Sequence, residues 1–373
     1  MVIAVNTIMK NGNSPGDNEI FIIETFSRII KLHPGHTFIL ISGEKPSELF
    51  GFADNIIHAA TGFKGEGPSK LYFWFNIKIN AILKKYKADI FVSFGLGSSK
   101  PKVHQIIVGP DLSFVHFPQL FKKTHLLFYK SFLPRTLIKS KKIIVFSQYC
   151  MDEITRHIKT GNGRIEVINC GVNGRLNKIS LDDREMVKSK FAGGNEYFIY
   201  TGEIALHKNL LNLLKAFSAF KKRQKSSMQL VIAGNPGFKY EIFKEDLRHF
   251  KFKEDVRVFE NVNIEQLVQL TESSYAMVYT SNYECFATQA LQAMVCGVPV
   301  IAPSSGAAPE ILEDAALYSD HEDFKEIAIK MMMLFRDENL RNELIKKGEI
   351  QAAKYDWDTA ASRLWKSLEN TLA

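Results

Sequence analysis

Cysteine is scarce and scattered: Cys150, Cys170, Cys285 and Cys296 are the four in 373 residues, with no C-x-x-C pair among them. That excludes a disulfide framework and fits reduced, packed thiols in a reducing compartment. No apolar run reaches the ~18 residues that a membrane-spanning helix needs. The opening VIAVNTIM has no basic flank and no small-residue cleavage site, so it reads as a first strand rather than a leader. A cytoplasmic location is the expectation. Residues 95–100 (GLGSSK) lack the third glycine of a dinucleotide fingerprint, and Pro101 opposes a helix start there, which argues against a nicotinamide site. Acidic residues are missing from the whole interval between Asp111 and Asp152.

What is present is a hydrophobic fraction of 46%, enough to fill the cores of two domains. The net charge of +8 is unevenly spread: residues 1–173 carry 22 Lys/Arg against 12 Asp/Glu, and residues 174–373 carry 26 against 28. The acid-free interval holds Lys122, Lys123, Lys130, Arg135, Lys139, Lys141 and Lys142 among Phe117, Phe121, Leu127, Phe128, Tyr129 and Phe132. Interleaved in this way over residues 117–142, they suit an anionic membrane surface, an anionic acceptor or a plain solvated basic face. No nucleic-acid-binding motif accompanies the charge, so nucleic acid is not an expected partner.

Short apolar strands alternate with helix-period segments along the chain. Strands are expected over 2–6, 37–42, 90–94, 105–108, 142–147 and 165–168, then over 197–200, 229–233, 256–259 and 277–280. Helices are expected over 19–32, 71–86, 148–157, 183–191, 210–222, 264–273 and 356–372. This alternation is the signature of α/β, doubly wound parallel sheets. The turn-rich NCGVN at 169–173 reads as a link between two domains.

Residues 277–303 (MVYTSNYECFATQALQAMVCGVPVIAP) read as strand, loop, helix and strand in quick succession, a crossover that forces a parallel sheet. The loop before the helix leaves N–H groups near Ala287, Thr288 and Gln289 at a positive helix end, where an anion such as a phosphate sits comfortably. An ordinary loop that binds nothing would share these features, and the spacing separates the two. Glu284 precedes Gln292 by eight residues, and Ala293, Met294, Gly297, Pro299 and Val300 follow in a fixed frame. This stretch resembles the donor-binding signature E-G-F-G-x-x-x-x-E-A-M-x-x-G-x-P-V of the retaining, nucleotide-sugar-dependent glycosyltransferases of the GT-B fold, the glycosyl transferases group 1. Cys285 and Ala287 replace two glycines of that pattern, and Gln292 replaces its second glutamate.

The resemblance implies two Rossmann-like doubly wound domains facing a cleft. Residues 1–172 with the returning helix 357–373 would form the acceptor side, and 173–356 would bind the nucleotide-sugar donor. Around 201–209 (TGEIALHKN), a strand, Gly202 and then Lys208 at a helix start match the segment that holds the donor diphosphate in the family. The family's arginine is missing: His207 stands beside the lysine, and Glu203 directly follows Gly202. Donor-binding candidates are therefore Gly202, His207, Lys208, Gly234, Phe286, Ala287, Thr288, Gln289 and Gln292, with Phe259 and Asn261 against the nucleobase. On the acceptor side, Gly12 and Gly16 lie in a turn-rich loop. The family's His-Asp turn appears as Pro110-Asp111, with His116 as a partial substitute for the missing histidine.

Glu284, Lys208 and Asp111 are the catalytic candidates. Lys208 and the helix N–H groups would hold the leaving diphosphate in place of a metal, Glu284 would accept hydrogen bonds from donor-sugar hydroxyls, and Gln292 would bind the ribose. The nucleotide-sugar is a co-substrate, and no separate cofactor or metal is expected. The acceptor would be a glycan or a lipid-linked glycan, with the protein peripheral at the inner face of a membrane. Pro110, Glu203 and Gln292 also fit a catalytically degenerate protein that binds a nucleotide, a glycan or a partner, and an epimerase on the same fold is a further alternative.

Overall fold

A computed structural model describes residues 1–8, 16–43, 50, 53–63, 67–161, 163–172, 179–281 and 283–372. The chain divides into two compact units, Met1–Gly171 with Asp356–Ala373, and Val172–Tyr355.

Among the described residues, the first unit is built on seven strands: β1 (Val2–Asn6), β2 (Thr37–Ser42), β3 (Ile56–Ala60), β4 (Ile90–Phe94), β5 (His104–Val108), β6 (Lys142–Val145) and β7 (Ile165–Val167). They lie in the order β3-β2-β1-β4-β5-β6-β7, every neighbouring pair parallel. Parallel neighbours need long crossovers, which the intervening helices supply, and a sheet covered on both faces favours apolar runs such as TFILIS. β3 was not expected. Its sequence, IIHAA, lies at the sheet edge with Ala59 alone of the five buried, and it carries no continuous run of large apolar residues. The helical segment expected at 71–86 starts earlier, at Pro68, and widens into a π turn over Trp74–Lys78. Here the adjacent residues Trp74 and Phe75 both enter the core, with Trp74 stacked 4.2 Å from Phe63.

The helix Trp357–Leu372 packs in this unit against the helix Asp17–Leu32. Trp365 stacks on His33 at 3.6 Å, and Trp357 meets Phe21 edge-on at 6.2 Å. The Arg28–Asp358 ion pair beside them is exposed and worth ~0–1 kcal/mol, whereas truncating a buried Trp costs ~3–5 kcal/mol. Aromatic burial therefore dominates this docking.

In the basic stretch, the helix Lys123–Lys139 turns Phe132, Leu133 and Leu137 inward. Phe128 stacks on Phe132 at 4.7 Å, and Tyr129 gathers Phe114 and Phe121. The aromatics thus largely pack on one another, while Lys122, Lys123, Lys130, Arg135, Lys139 and Lys141 are exposed with Leu127. Among the described residues, no helix is long and apolar enough to cross a membrane.

Among the described residues, the second unit has six parallel strands: β8 (Tyr197–Thr201), β9 (Gln229–Gly234), β10 (Val256–Glu260), β11 (Ala276–Val278), β12 (Val300–Pro303) and β13 (Ala316–Ser319). Their order is β10-β9-β8-β11-β12-β13. The chain winds outward from β8 through β9 to β10, returns to place β11 beside β8, and then winds the opposite way. The loops leaving β8 and β11 consequently diverge, which opens a crevice at the carboxyl ends of these two strands. Phe198, Phe217, Phe220 and Met331 fill the core on one face.

Candidate functional site

The crevice between β8 and β11 is where the sequence signals meet. After β8 the chain makes a tight turn at Gly202, whose φ of 131° only glycine adopts readily. Tyr200 is buried and donates its hydroxyl to the Glu203 carbonyl at 2.9 Å. Burial, with Glu284 and Glu203 nearby, holds that phenol well above the usual tyrosine range, so it stays a neutral donor. The loops after β8 and β9 are stapled together by Ile204 N–H to the Asn235 carbonyl (2.9 Å) and Gly237 N–H to the Ile204 carbonyl (3.0 Å). Gly234 is the point of closest approach: a Cβ there would lie 1.7 Å from the Gly202 carbonyl oxygen.

Lys208 ends a short 3-10 turn, Leu206–Lys208, and Asn209 in left-handed geometry opens the helix Leu210–Gln224. From the loop after β11, Glu284 reaches back and forms an ion pair with Lys208. Ser281 donates to the same Glu284 oxygen at 2.8 Å, and Thr280 donates to the Lys208 carbonyl at 2.9 Å. A cation and a carboxylate separated by 76 positions are thus brought to one point, each largely buried, at 15% and 18% side-chain exposure. The loops after β12 and β13 complete the surround. Asn209 donates to the His321 carbonyl, and Ser305 bonds the His321 ring at 3.1 Å.

Among the described residues, the helices Leu210–Gln224 and Thr288–Val295 open at this crevice without a side-chain cap. Asn209 would ordinarily cap the first, but its side chain is engaged by His321. Ala287 precedes the second and has no capping group. Thr288 Oγ1 and Gln289 Oε1 are buried with no hydrogen-bond partner among the described residues. The first N–H groups of a helix have no intrahelical partner, and two such helix starts beside a lysine form an environment that an oxyanion satisfies.

Other sequence candidates are placed as follows. Gln292 lies one helical turn beyond Thr288, half-buried on the same helix. The Phe286 ring is fully buried and meets Tyr355 edge-on at 5.5 Å, so only its backbone faces the loop. His207 lies 3.7 Å from Glu203, and Glu203 covers Gly237, where a Cβ would meet its side chain at 2.3 Å. Phe259 packs edge-on against Phe191 at 5.3 Å, and Asn261 follows with a positive φ; both belong to β10 and its loop, two strands away from β8.

In the first unit, Asp111 follows β5 and Pro110, exposed, and accepts from Ser113 N–H and Oγ, both at 2.7 Å. His116 points to Glu153 rather than standing free. Gly16 starts the helix Asp17–Leu32, and its N–H is already bound by Glu19 at 2.6 Å. Gly12 lies outside the described residues. Sequence reasoning missed Thr280, Ser281, Ser305 and His321 as supports of the site. The polar pair closing an apolar strand, Thr280-Ser281, was the available signal for the first two.

Residues 182–351 match the sequence profile of the family described as "Glycosyl transferases group 1". O-antigen chain mannosyltransferase B from Escherichia coli is 24% identical over 254 residues, which cover 68% of this chain and 67% of that protein. O-antigen chain mannosyltransferase RfbU from Salmonella typhimurium is also 24% identical, covering 68% of this chain and 66% of the relative. The chain thus spans about two thirds of the length of these curated relatives. Among solved structures, sucrose-phosphate synthase from Thermosynechococcus elongatus superposes with a TM-score of 0.78 at 16% identity, covering 99% of this chain and 98% of that one. Anabaena HepE in complex with UDP and glucose superposes with a TM-score of 0.76 at 15% identity, covering 99% and 100%. The fold is therefore that of the GT-B glycosyltransferases, built from two Rossmann-like units.

Proposed function

We propose that the chain, whose residues 182–351 match the glycosyl transferases group 1 family, moves a hexosyl group from a nucleoside-diphosphate sugar to a glycan or lipid-linked acceptor. One observation carries the assignment of the donor site: Lys208 and two uncapped helix starts converge at the β8/β11 crevice. In this reading a diphosphate displaces Glu284 from Lys208, and the freed carboxylate accepts hydrogen bonds from the donor-sugar hydroxyls. As the glycosidic bond breaks, negative charge grows on the leaving diphosphate. Lys208 and the N–H groups of Thr288 and Gln289 stabilise it in this reading, taking the place of a metal and of a protein nucleophile. Gln292 holds the ribose with neutral hydrogen bonds, where a glutamate would make charge-assisted ones.

Transfer with retention of the anomeric configuration belongs to the same proposal, as does a mannosyl or glucosyl donor, which the names of the relatives support. The first unit takes the acceptor, with Asp111 at the carboxyl end of β5, in a cytoplasmic protein. Its exposed lysines from Lys122 to Lys141 offer an anionic membrane surface a docking face where a lipid-linked acceptor would be found. The relatives named as transferases give no weight to a non-catalytic binding module.

Calorimetric titration with UDP, GDP, ADP and NAD tests the donor assignment. One nucleoside diphosphate is expected to bind selectively at one site per chain. Equal indifference to all four would remove the donor site from the β8/β11 crevice.

A further inference from the structure

In the first unit, His116 meets a second histidine and a buried carboxylate that the donor site does not use. β5 and β6 are sheet neighbours, so the segments leaving their carboxyl ends meet. The turn after β5 brings His116 to the helix Gln148–His157 that follows β6. On that helix Glu153 and His157 are four residues apart and share a face. Glu153 is only 2% exposed. Its Oε2 lies 2.6 Å from His116 Nε2 and 3.9 Å from His157 Nε2. One ligand atom from each of the three residues falls within 4.8 Å of the others. Despite the short contact, Oε2 has no aligned hydrogen bond among the described residues. The other carboxylate oxygen is held by Arg156.

We propose that His116, Glu153 and His157 form a binding site for a divalent first-row metal ion, zinc foremost. In a tetrahedral site with bonds of ~2.1 Å, ligand atoms stand ~3.4 Å apart, so separations of 2.6 Å, 3.9 Å and at most 4.8 Å need changes of up to ~1.4 Å, shared between the side chains of each pair. Two imidazoles with one carboxylate form a borderline donor set, suited to zinc rather than to magnesium or calcium. Arg156 supplies the outer contact that orients a ligating carboxylate. Both histidines are partly exposed, which leaves a path for the ion and a fourth position for water. An ion here would tie the helix Gln148–His157 to the turn that carries Asp111 and Ser113.

The test is titration of the chelator-stripped full-length protein with Zn²⁺ in competition with a chromophoric chelator. One zinc per chain is expected, with affinity lowered more than about tenfold in both His116→Ala and His157→Ala. Unchanged zinc affinity in the two variants, or no binding by the unsubstituted protein, would overturn the proposal. Co²⁺ added to the unsubstituted protein gives a second answer that does not depend on variant folding. Visible ligand-field bands without thiolate charge transfer support the His–Glu site, and thiolate bands would assign the metal to a cysteine and overturn it.

Discussion

Replacing Lys208 by alanine should weaken nucleoside-diphosphate binding through two separable losses. The first is the charge-assisted contact to the diphosphate, worth ~1.5–3 kcal/mol. The second is the shielding of Glu284, which stays at the crevice with its partner removed. At ~5 Å and an effective dielectric near ~20, an unshielded carboxylate repels a phosphate charge by up to ~3 kcal/mol, part of which entering water removes. Together these amount to ~2–4 kcal/mol, or ~30- to ~700-fold in the dissociation constant. Glu284→Gln has the opposite sign, because it deletes a repelling charge while keeping the shape. Nucleotide affinity should hold or rise in that variant, and binding of the sugar portion should fall. In the double variant, the part of the Lys208→Ala penalty due to repulsion should be recovered, which a double-mutant cycle by isothermal calorimetry measures directly. An affinity for Lys208→Ala within about twofold of the parent would refute the diphosphate role, as would a loss in Glu284→Gln as large as that in Lys208→Ala.

Gln292→Glu should leave nucleotide binding intact or tighten it by ~1 kcal/mol through charge-assisted bonds to the ribose, and a strong loss by calorimetry would contradict that role. Gly234→Ala forces a Cβ toward the Gly202 carbonyl oxygen at 1.7 Å, so the two loops must part; a destabilisation of ~1–3 kcal/mol should appear in the urea midpoint. Asp356 accepts Thr359 N–H at 2.8 Å at the start of the C-terminal helix, and that bond leads the causes that hold its carboxyl below the usual range. A lowered folded-state value means the stabilisation is present above the unfolded-state value and lost as pH falls through the folded-state one. Asp356→Ala should therefore cost ~1 kcal/mol at neutral pH, with the gap to the parent closing in acid below about pH 4.

The legible parts of the fold were those where one local pattern had a single structural outcome. TFILIS and IFVSF became β2 and β4 with the expected bounds, because strands buried on both faces carry continuous apolar runs. β3 was missed because an edge strand needs only part of its length apolar, and IIHAA has no clear period. The π turn at Trp74–Lys78 was not legible either, since it arises where two adjacent aromatic residues both find core partners. At the candidate site, the spacing of Lys208, Glu284 and Gln292 drew attention to the segments, but did not reveal that the first two pair across the sheet's switch point. That pairing depends on β11 returning beside β8, a feature of strand order. His116 looked like a lone histidine because its partners Glu153 and His157 lie on the helix after the next strand. Glu203 was conspicuous as a departure from the family pattern, yet its packing over Gly237 is visible only in three dimensions.

The most direct single measurement is release of nucleoside diphosphate from a panel of UDP-, GDP- and ADP-hexoses by the purified protein, alongside Glu284→Ala. A transferase with its donor site at the β8/β11 crevice releases diphosphate from one class of donor, slowly into water and faster with a glycan acceptor, and Glu284→Ala abolishes the release. Equal release by the parent and Glu284→Ala would contradict that placement, and binding of a donor without any turnover across acceptors would contradict the transferase activity.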